Sequence, residues 1–266
     1  MERMNRSLLP LGCLTLLALS ACGGGEDDTL DAEQAMDAVE LSQREAALVV
    51  ASTHPLDPTM TAEQAAEAAA LSASLVYRPA GCFTTLVQGT AITYTLADCT
   101  GPFKMNLING KVEVVYSVGA DGLHAQTTAK ALRIGDVSLE IESEGFLSVE
   151  GAWRKLQVST RGAGVGSRGH RVERDGAYTV TWNKVEECVG FEGAFETRAG
   201  ERQFETTATG LSRCAGQCPA AGGRIVHEAI HSGLRIQIDF DGTDTVRWTS
   251  SSGSQGTVAI SCGGGA

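Results

Sequence analysis

The sequence predicts a mainly β protein: a long antiparallel meander, its sheet curled or partly closed, preceded by two short N-terminal helices. Three observations carry this. From Gly81 onward apolar residues recur at every second position, the period of a half-buried strand. Between these runs stand Asn109-Gly110, Asp121-Gly122, Asp175-Gly176 and Asp241-Gly242, dipeptides able to adopt the positive φ of a tight hairpin. Before Gly81 the chain is rich in Ala, Glu and Gln, with apolar residues spaced near 3.6. At 266 residues, 42% hydrophobic and 20% charged, the chain is long enough for a substantial core and unlike a disordered, polytopic membrane or coiled-coil protein. A net charge of −11 opposes nucleic-acid binding, so no nucleic-acid partner is expected.

Residues 1–21 read as an export signal. Arg3 and Arg6 supply a basic start, and Leu8 to Leu19 an apolar stretch too short to span a bilayer. Leu19-Ser20-Ala21-Cys22 resembles the lipobox of bacterial lipoproteins, which implies that Cys22 becomes the acylated N-terminus and that the membrane is reached through this lipid anchor. By resemblance to the Gram-negative sorting rule, Gly23 rather than Asp after that cysteine favours the outer membrane of the cell envelope. Residues 22–28, the acylated Cys22 followed by three glycines and three acids, read as an anchor and flexible tether.

Residues 29–80 form the helical segment. A first helix near Asp31 to Ser52 places Met36, Val39, Ala46 and Val50 on one face and stops before His54-Pro55. Thr61-Ala62-Glu63-Gln64 has the form of a capping box opening a second helix, which Arg78-Pro79 should close.

Residues 81–262 form the antiparallel β domain. Val112, Val114, Tyr116 and Val118 share one face; Val137, Leu139 and Ile141 alternate with Ser138, Glu140 and Glu142; Leu234, Ile236, Ile238 and Phe240 alternate with Arg235, Gln237 and Asp239. About a dozen such strands without helical interruption predict an up-and-down order, and a sheet that long must curl, split or close. A transmembrane barrel would need aromatic girdles and an apolar outer band, whereas the outward positions here carry Thr, Glu, Arg and Lys.

Apart from Cys13 in the signal and Cys22, six cysteines remain: Cys82, Cys99, Cys188, Cys214, Cys218 and Cys262. An even count in an exported chain suggests disulfides, with fifteen pairings open. Cys82 and Cys99 flank two strands around Gln88-Gly89, so their ends should meet. For the others we take Cys188 with Cys214 and Cys218 with Cys262. Cys214 and Cys218 as half a zinc site lack a second pair at suitable spacing.

From Thr61 to Cys262 the chain resembles an uncharacterised family of β-rich exported bacterial lipoproteins. The likeness rests on Pro79-Ala80-Gly81-Cys82, Asp98-Cys99-Thr100-Gly101-Pro102, Gly176-Ala177-Tyr178-Thr179-Val180-Thr181-Trp182, Arg213-Cys214-Ala215-Gly216-Gln217-Cys218-Pro219 and Gly256-Thr257-Val258-Ala259-Ile260-Ser261-Cys262. The resemblance implies a β domain and transfers no catalytic residue.

Three features bear on chemistry. His227-Glu228-Ala229-Ile230-His231 matches H-E-x-x-H, in which two imidazoles on one helical face bind zinc and the glutamate acts as base. Glycines bracket it and a strand follows, so 225–231 is expected as a strand with two exposed histidines roughly 13 Å apart at about 3.3 Å per residue. Gly164-Val165-Gly166-Ser167-Arg168-Gly169 matches G-x-G-x-x-G, but strands follow where a dinucleotide fold needs a helix, so it is expected as a mobile loop. Arg161, Arg168, His170, Arg171 and Arg174 around it are expected as a solvated basic cluster, with an anion or glycan phosphate as the rival occupant. Trp153, Trp182 and Trp248 are expected as core or hairpin anchors.

The leading expectation is a lipid-anchored protein with a structural or binding role, neither catalysis nor cofactor evident, and an envelope protein or glycan as partner. The alternatives are a zinc metallopeptidase using His227, Glu228 and His231, and a carrier whose curled sheet shelters an apolar ligand in a concavity left unfilled by residues 30–77.

Overall fold

The computed structural model describes residues 24–101, 107–183, 188–214, 217–260 and 262, with the side chains of 24–27 and 150 outside that description. The expected signal at 1–21 and Cys22 lie outside the described residues.

Thirteen strands follow two helices: β1 (Phe83–Gln88), β2 (Ala91–Cys99), β3 (Ile108–Val118), β4 (Leu123–Ile134), β5 (Val137–Glu150), β6 (Trp153–Val165), β7 (Arg171–Asn183), β8 (Cys188–Ala199), β9 (Arg202–Cys214), β10 (Arg224–Ala229), β11 (Arg235–Asp239), β12 (Thr245–Ser250) and β13 (Gln255–Ala259). Each pairs with the next in one antiparallel sheet that remains unclosed between β1 and β13. The alternation sets the faces as read. Val112, Val114, Tyr116, Val137, Leu139, Ile141, Ile236 and Ile238 are buried on the concave side, while Glu113, Glu140 and Glu142 point to solvent.

Two of the four turn dipeptides sit elsewhere. Asp121-Gly122 and Asp241-Gly242 lie between strands, but Asn109-Gly110 lies inside β3, where Gly110 has φ 128° and the pairing with β4 shifts register. Asp175-Gly176 lies inside β7, where a Cβ on Gly176 would stand 2.2 Å from the Ala194 carbonyl oxygen. Glycine there serves a bulge and a close approach of backbone, which the dipeptide pattern alone does not distinguish from a turn.

The second helix, α2 (Ala62–Val76), forms as read: the Gln64 N–H donates to Thr61 Oγ1 at 3.2 Å and the Thr61 N–H to Gln64 Oε1 at 3.0 Å. Its buried alanines lie against β1, β2 and β3. The first helix, α1 (Gly24–Thr53), departs from expectation. It runs for 30 residues, and it begins inside the stretch expected as a tether. The cause is at Asp28, which is buried and accepts a hydrogen bond from Ser252 Oγ at 2.5 Å, so the acidic run docks instead of remaining solvated. α1 lies within the curl and touches every strand from β4 to β11 as well as β13.

The cysteines pair as Cys82–Cys99, Cys188–Cys214 and Cys218–Cys262. The first closes the β1–β2 hairpin and the second joins directly paired residues of β8 and β9. None of the three involves α1. Replacing Cys82 and Cys99 by Ser removes a staple over 17 residues and should lower unfolding stability by about 3 kcal/mol in a denaturant titration.

Candidate functional site

The most informative region is the seat of α1 on β6. The concave positions of β6 and the turn after it include Gly162, Gly164 and Gly166. Two strand residues advance about 6.6 Å and four helical residues about 6 Å, so a helix running antiparallel to the strand can set every fourth residue over every second glycine. Asp37, Leu41 and Glu45 do this. A Cβ on Gly166 would stand 2.3 Å from Asp37 Cγ, one on Gly164 2.9 Å from Leu41 Cδ2, and one on Gly162 3.6 Å from Glu45 Oε2. The G-x-G-x-x-G match is therefore a packing surface. The expectation of a mobile loop is corrected, because absent side chains let the helix close onto the strand.

The turn at 166–170 holds an anion, and the anion is internal. Arg168 Nη1 donates to Asp37 Oδ1 at 3.0 Å, His170 Nδ1 lies 2.9 Å from Oδ2, and the N–H groups of Arg168 and His170 each lie 3.4 Å from that carboxylate. Arg168 Nη2 also donates to the Ala259 carbonyl of β13, so one guanidinium clamps the helix and reaches the far edge strand. Two turns along, Glu45 accepts from Arg174 Nη2 at 3.2 Å and from the Tyr178 hydroxyl at 3.0 Å, while Arg174 Nη1 donates to Ser42 Oγ at 2.6 Å. The Arg174 and Glu45 side chains are both 0% exposed. Burial, reinforced by the Glu45 charge, holds the Tyr178 phenol well above its ordinary pKa.

The ends of α1 are tied as well. Arg202 pairs with Asp31, and Asp28 sits among Ser250, Ser252 and Ser254; burial pushes the Asp28 carboxyl up, but hydrogen bonds from those serines outweigh it and hold the group below its ordinary value. At the opposite end the Tyr116 hydroxyl donates to Ser52 O at 2.8 Å and Arg154 Nη1 to Leu56 O at 2.7 Å.

The basic cluster is thus divided and not solvated as a unit. Strand parity turns Arg174 inward, the turn aims Arg168 and His170 at Asp37, and only Arg161, paired with Asp175 at 2.9 Å, and Arg171 lie on the outside. Among the tryptophans Trp182 and Trp248 are core, while Trp153 is exposed.

The H-E-x-x-H residues fall apart. β10 ends at Ala229, and His231 lies exposed in the turn before β11. Glu228 faces outward. His227 faces inward, fully buried, with Nδ1 2.7 Å from Thr206 Oγ1 and its ring 3.9 Å from that of Phe204. The expectation of two exposed strand histidines is corrected by parity: 225, 227 and 229 point to the core side, and the strand is shorter than 225–231. Among the described residues no group of three His, Cys, Asp or Glu is placed to hold a metal ion.

The sequence reading missed a polar belt. At one level across the concave face the paired residues run Val114, Thr127, Ser143, Thr160, Gly176, Phe195, Thr206, His227 and Ile236. Thr206 bonds Thr197 and His227, but the hydroxyls of Thr127, Ser143 and Thr160 are buried with no partner in the chain. The signal was there as Ser or Thr at inward parity: Thr127 between Ala125 and Ala129, Ser143 between Ile141 and Gly145.

Comparison of the chain with protein-family models, curated proteins and solved structures finds no match.

Two expected outcomes follow. Gly164→Val places a Cβ 2.2 Å from the Ser138 carbonyl oxygen and against Leu41, and should cost about 3 kcal/mol in chemical denaturation, at the upper end of overpacking penalties. Burial pushes His227 down to about 3, whereas the unfolded imidazole titrates near 6.5. Between those values the unfolded chain takes up a proton that the fold refuses, so this share of stability is complete above pH 6.5 and is lost as pH falls, by about 2 kcal/mol at pH 5. His227→Phe should remove that acid sensitivity, read as the difference between the two proteins' stability curves against pH.

Proposed function

We propose that this is an exported protein, anchored in the cell envelope through an acylated Cys22, whose β body has a structural or binding role and performs no catalysis. The observation that carries the reading is the order of basic start, apolar stretch and Leu19-Ser20-Ala21-Cys22 at the N-terminus. Three disulfides are compatible with an oxidising compartment outside the cytoplasm. Gly23 supports the outer membrane as destination, and the acidic body supports partners other than nucleic acid, an envelope protein or a glycan.

The peptidase alternative needs two imidazoles and a base converging on one metal-bound water. His227 and Glu228 point to opposite faces of β10, which supports the non-catalytic reading. The concavity that a simple apolar carrier would leave open is filled by α1. A binding role must therefore use the outer surface or involve movement of that helix.

Metabolic labelling with an alkyne fatty acid should mark the wild-type protein and leave Cys22→Ser unlabelled, with the variant leaving the detergent phase on phase separation. Equal labelling of both would refute the anchor.

A further inference from the structure

We propose that the concave face beneath α1 is a binding site for an amphiphile with one anionic headgroup and one acyl chain, and that α1 occupies this site in the unliganded protein with Glu45 in the headgroup's place. The proposal deepens the binding role above, and rests on that reading but not on acylation of Cys22.

The headgroup site is built. Arg174 and Tyr178 flank Gly176 on the concave face and converge on the Glu45 carboxylate, while the backbone of β8 closes over Gly176 itself, so the place an anion would take is the one that Glu45 holds. Thr160 is paired across from Gly176, with Ser143 and Thr127 beyond it, and all three buried hydroxyls lack partners, as does Arg174 Nε. α1 meets the two terminal nitrogens of Arg174 and none of these groups. A phosphate carries more acceptor oxygens than the Glu45 carboxylate, and a carboxylate that is not tethered to the helix can turn toward donors that Glu45 leaves unused.

The tail site continues from there toward the C-terminal end of α1. Leu147, Leu156, Val158, Val180 and Phe191 form an apolar wall. Along β7 from Gly176 to Trp182 it extends about 20 Å at about 3.3 Å per residue, the scale of an extended long acyl chain.

α1 is suited to exchange. No disulfide ties it to the sheet. Half of its buried apolar residues are alanines, Ala32, Ala35, Ala38, Ala46, Ala47 and Ala51, which bury little area each, and the apolar tail would replace the contacts of Leu48, Val49 and Val50. Its departure alone would leave Arg174 without its carboxylate and the apolar concave face uncovered. An incoming anion removes that obstacle, because one carboxylate replaces another on the same guanidinium.

The test uses the whole mature chain carrying Cys22→Ser, titrated with cis-parinaric acid and with lysophosphatidylglycerol. Saturable binding is expected, together with at least tenfold faster hydrogen exchange of the amides at 32–53 at saturation while β5, β6 and β7 stay protected. Glu45→Gln, which weakens the helix's hold and spares Arg174, should tighten binding about tenfold. Val49→Cys with Gly145→Cys, where a Cβ on Gly145 would lie 3.6 Å from Val49 Cγ1, should lock the helix and abolish binding. Binding of the first probe alone assigns a fatty acid, of the second alone a phosphate lipid, and of both a shared anionic site. No saturable binding by wild type or Glu45→Gln, unchanged protection of α1 at saturation, or equal binding by the locked variant would overturn the proposal. None of these results bears on fatty-acid labelling of Cys22, so the two readings fail separately.

Discussion

Asp37 and Glu45 are carboxylates with no exposed side-chain area, inside a sheet, on a helix that touches most of the strands. A charge in that position is tolerated only with a partner of opposite sign and hydrogen bonds for its remaining lone pairs. Much of the architecture answers this requirement. Arg168 and His170 come from the turn after β6, Arg174 and Tyr178 from β7, and the glycines of β6 bring the helix near enough for those contacts to form. Such pairs are poor sources of net stability, since desolvation offsets most of the attraction. They do fix register: sliding α1 by one turn along β6 would set Leu41 over Gly166 and leave both carboxylates without their cations.

The curl of the sheet has the same origin. Thirteen antiparallel strands exceed what an open twisted sheet usually sustains, and this one remains unclosed. A cylinder collapsed on itself would have no room for its inward side chains on all strands, so something must fill the axis. α1 does so, and Arg168 links the filling to the edge strand by binding Asp37 with one nitrogen and the Ala259 carbonyl of β13 with another. The disulfides act on the sheet independently, at the first hairpin, between β8 and β9, and between the β9–β10 connection and the residues after β13. Two systems therefore coexist, a covalent one within the sheet and an electrostatic one between sheet and helix.

Strand order and faces were legible because period-two alternation is a local property, fixed by which side of the sheet meets water. The capping box of α2 and the cysteine pairs were legible for similar reasons of short range. The helix seat was not. Gly162, Gly164 and Gly166 read locally as looseness, and their meaning depends on Asp37, Leu41 and Glu45 more than a hundred positions away. The acids at 26–28 and the basic residues at 161–174 each resembled solvated runs when taken alone. Only the folded chain shows that Asp28 is held by Ser252 and that Arg168 and Arg174 are the counter-charges of Asp37 and Glu45. His227 was read as an exposed strand residue; its parity on β10, in step with Ile225, was enough to predict burial, and its neighbour at the same level, Thr206, supplies the bond.

The unpaired belt hydroxyls weigh differently from the ion pairs. A buried hydroxyl without a partner costs about 1–3 kcal/mol, and valine at Thr127 or Thr160 would keep the shape and remove that cost. A core shaped by stability alone would favour valine there, as the chain itself does at Val158 and Val180 on the same face. The hydroxyls occur at the level of Gly176, between Arg174 and Tyr178, where the concave face is already polar. Thr160 stands on the strand beside Arg174, with Ser143 and Thr127 further along the same row, so the polar groups that lead to the buried cation exceed what the helix needs to dock. That surplus separates the region around Arg174 from the clamp at Asp37, where the carboxylate is met from both sides and the packed turn leaves no further room.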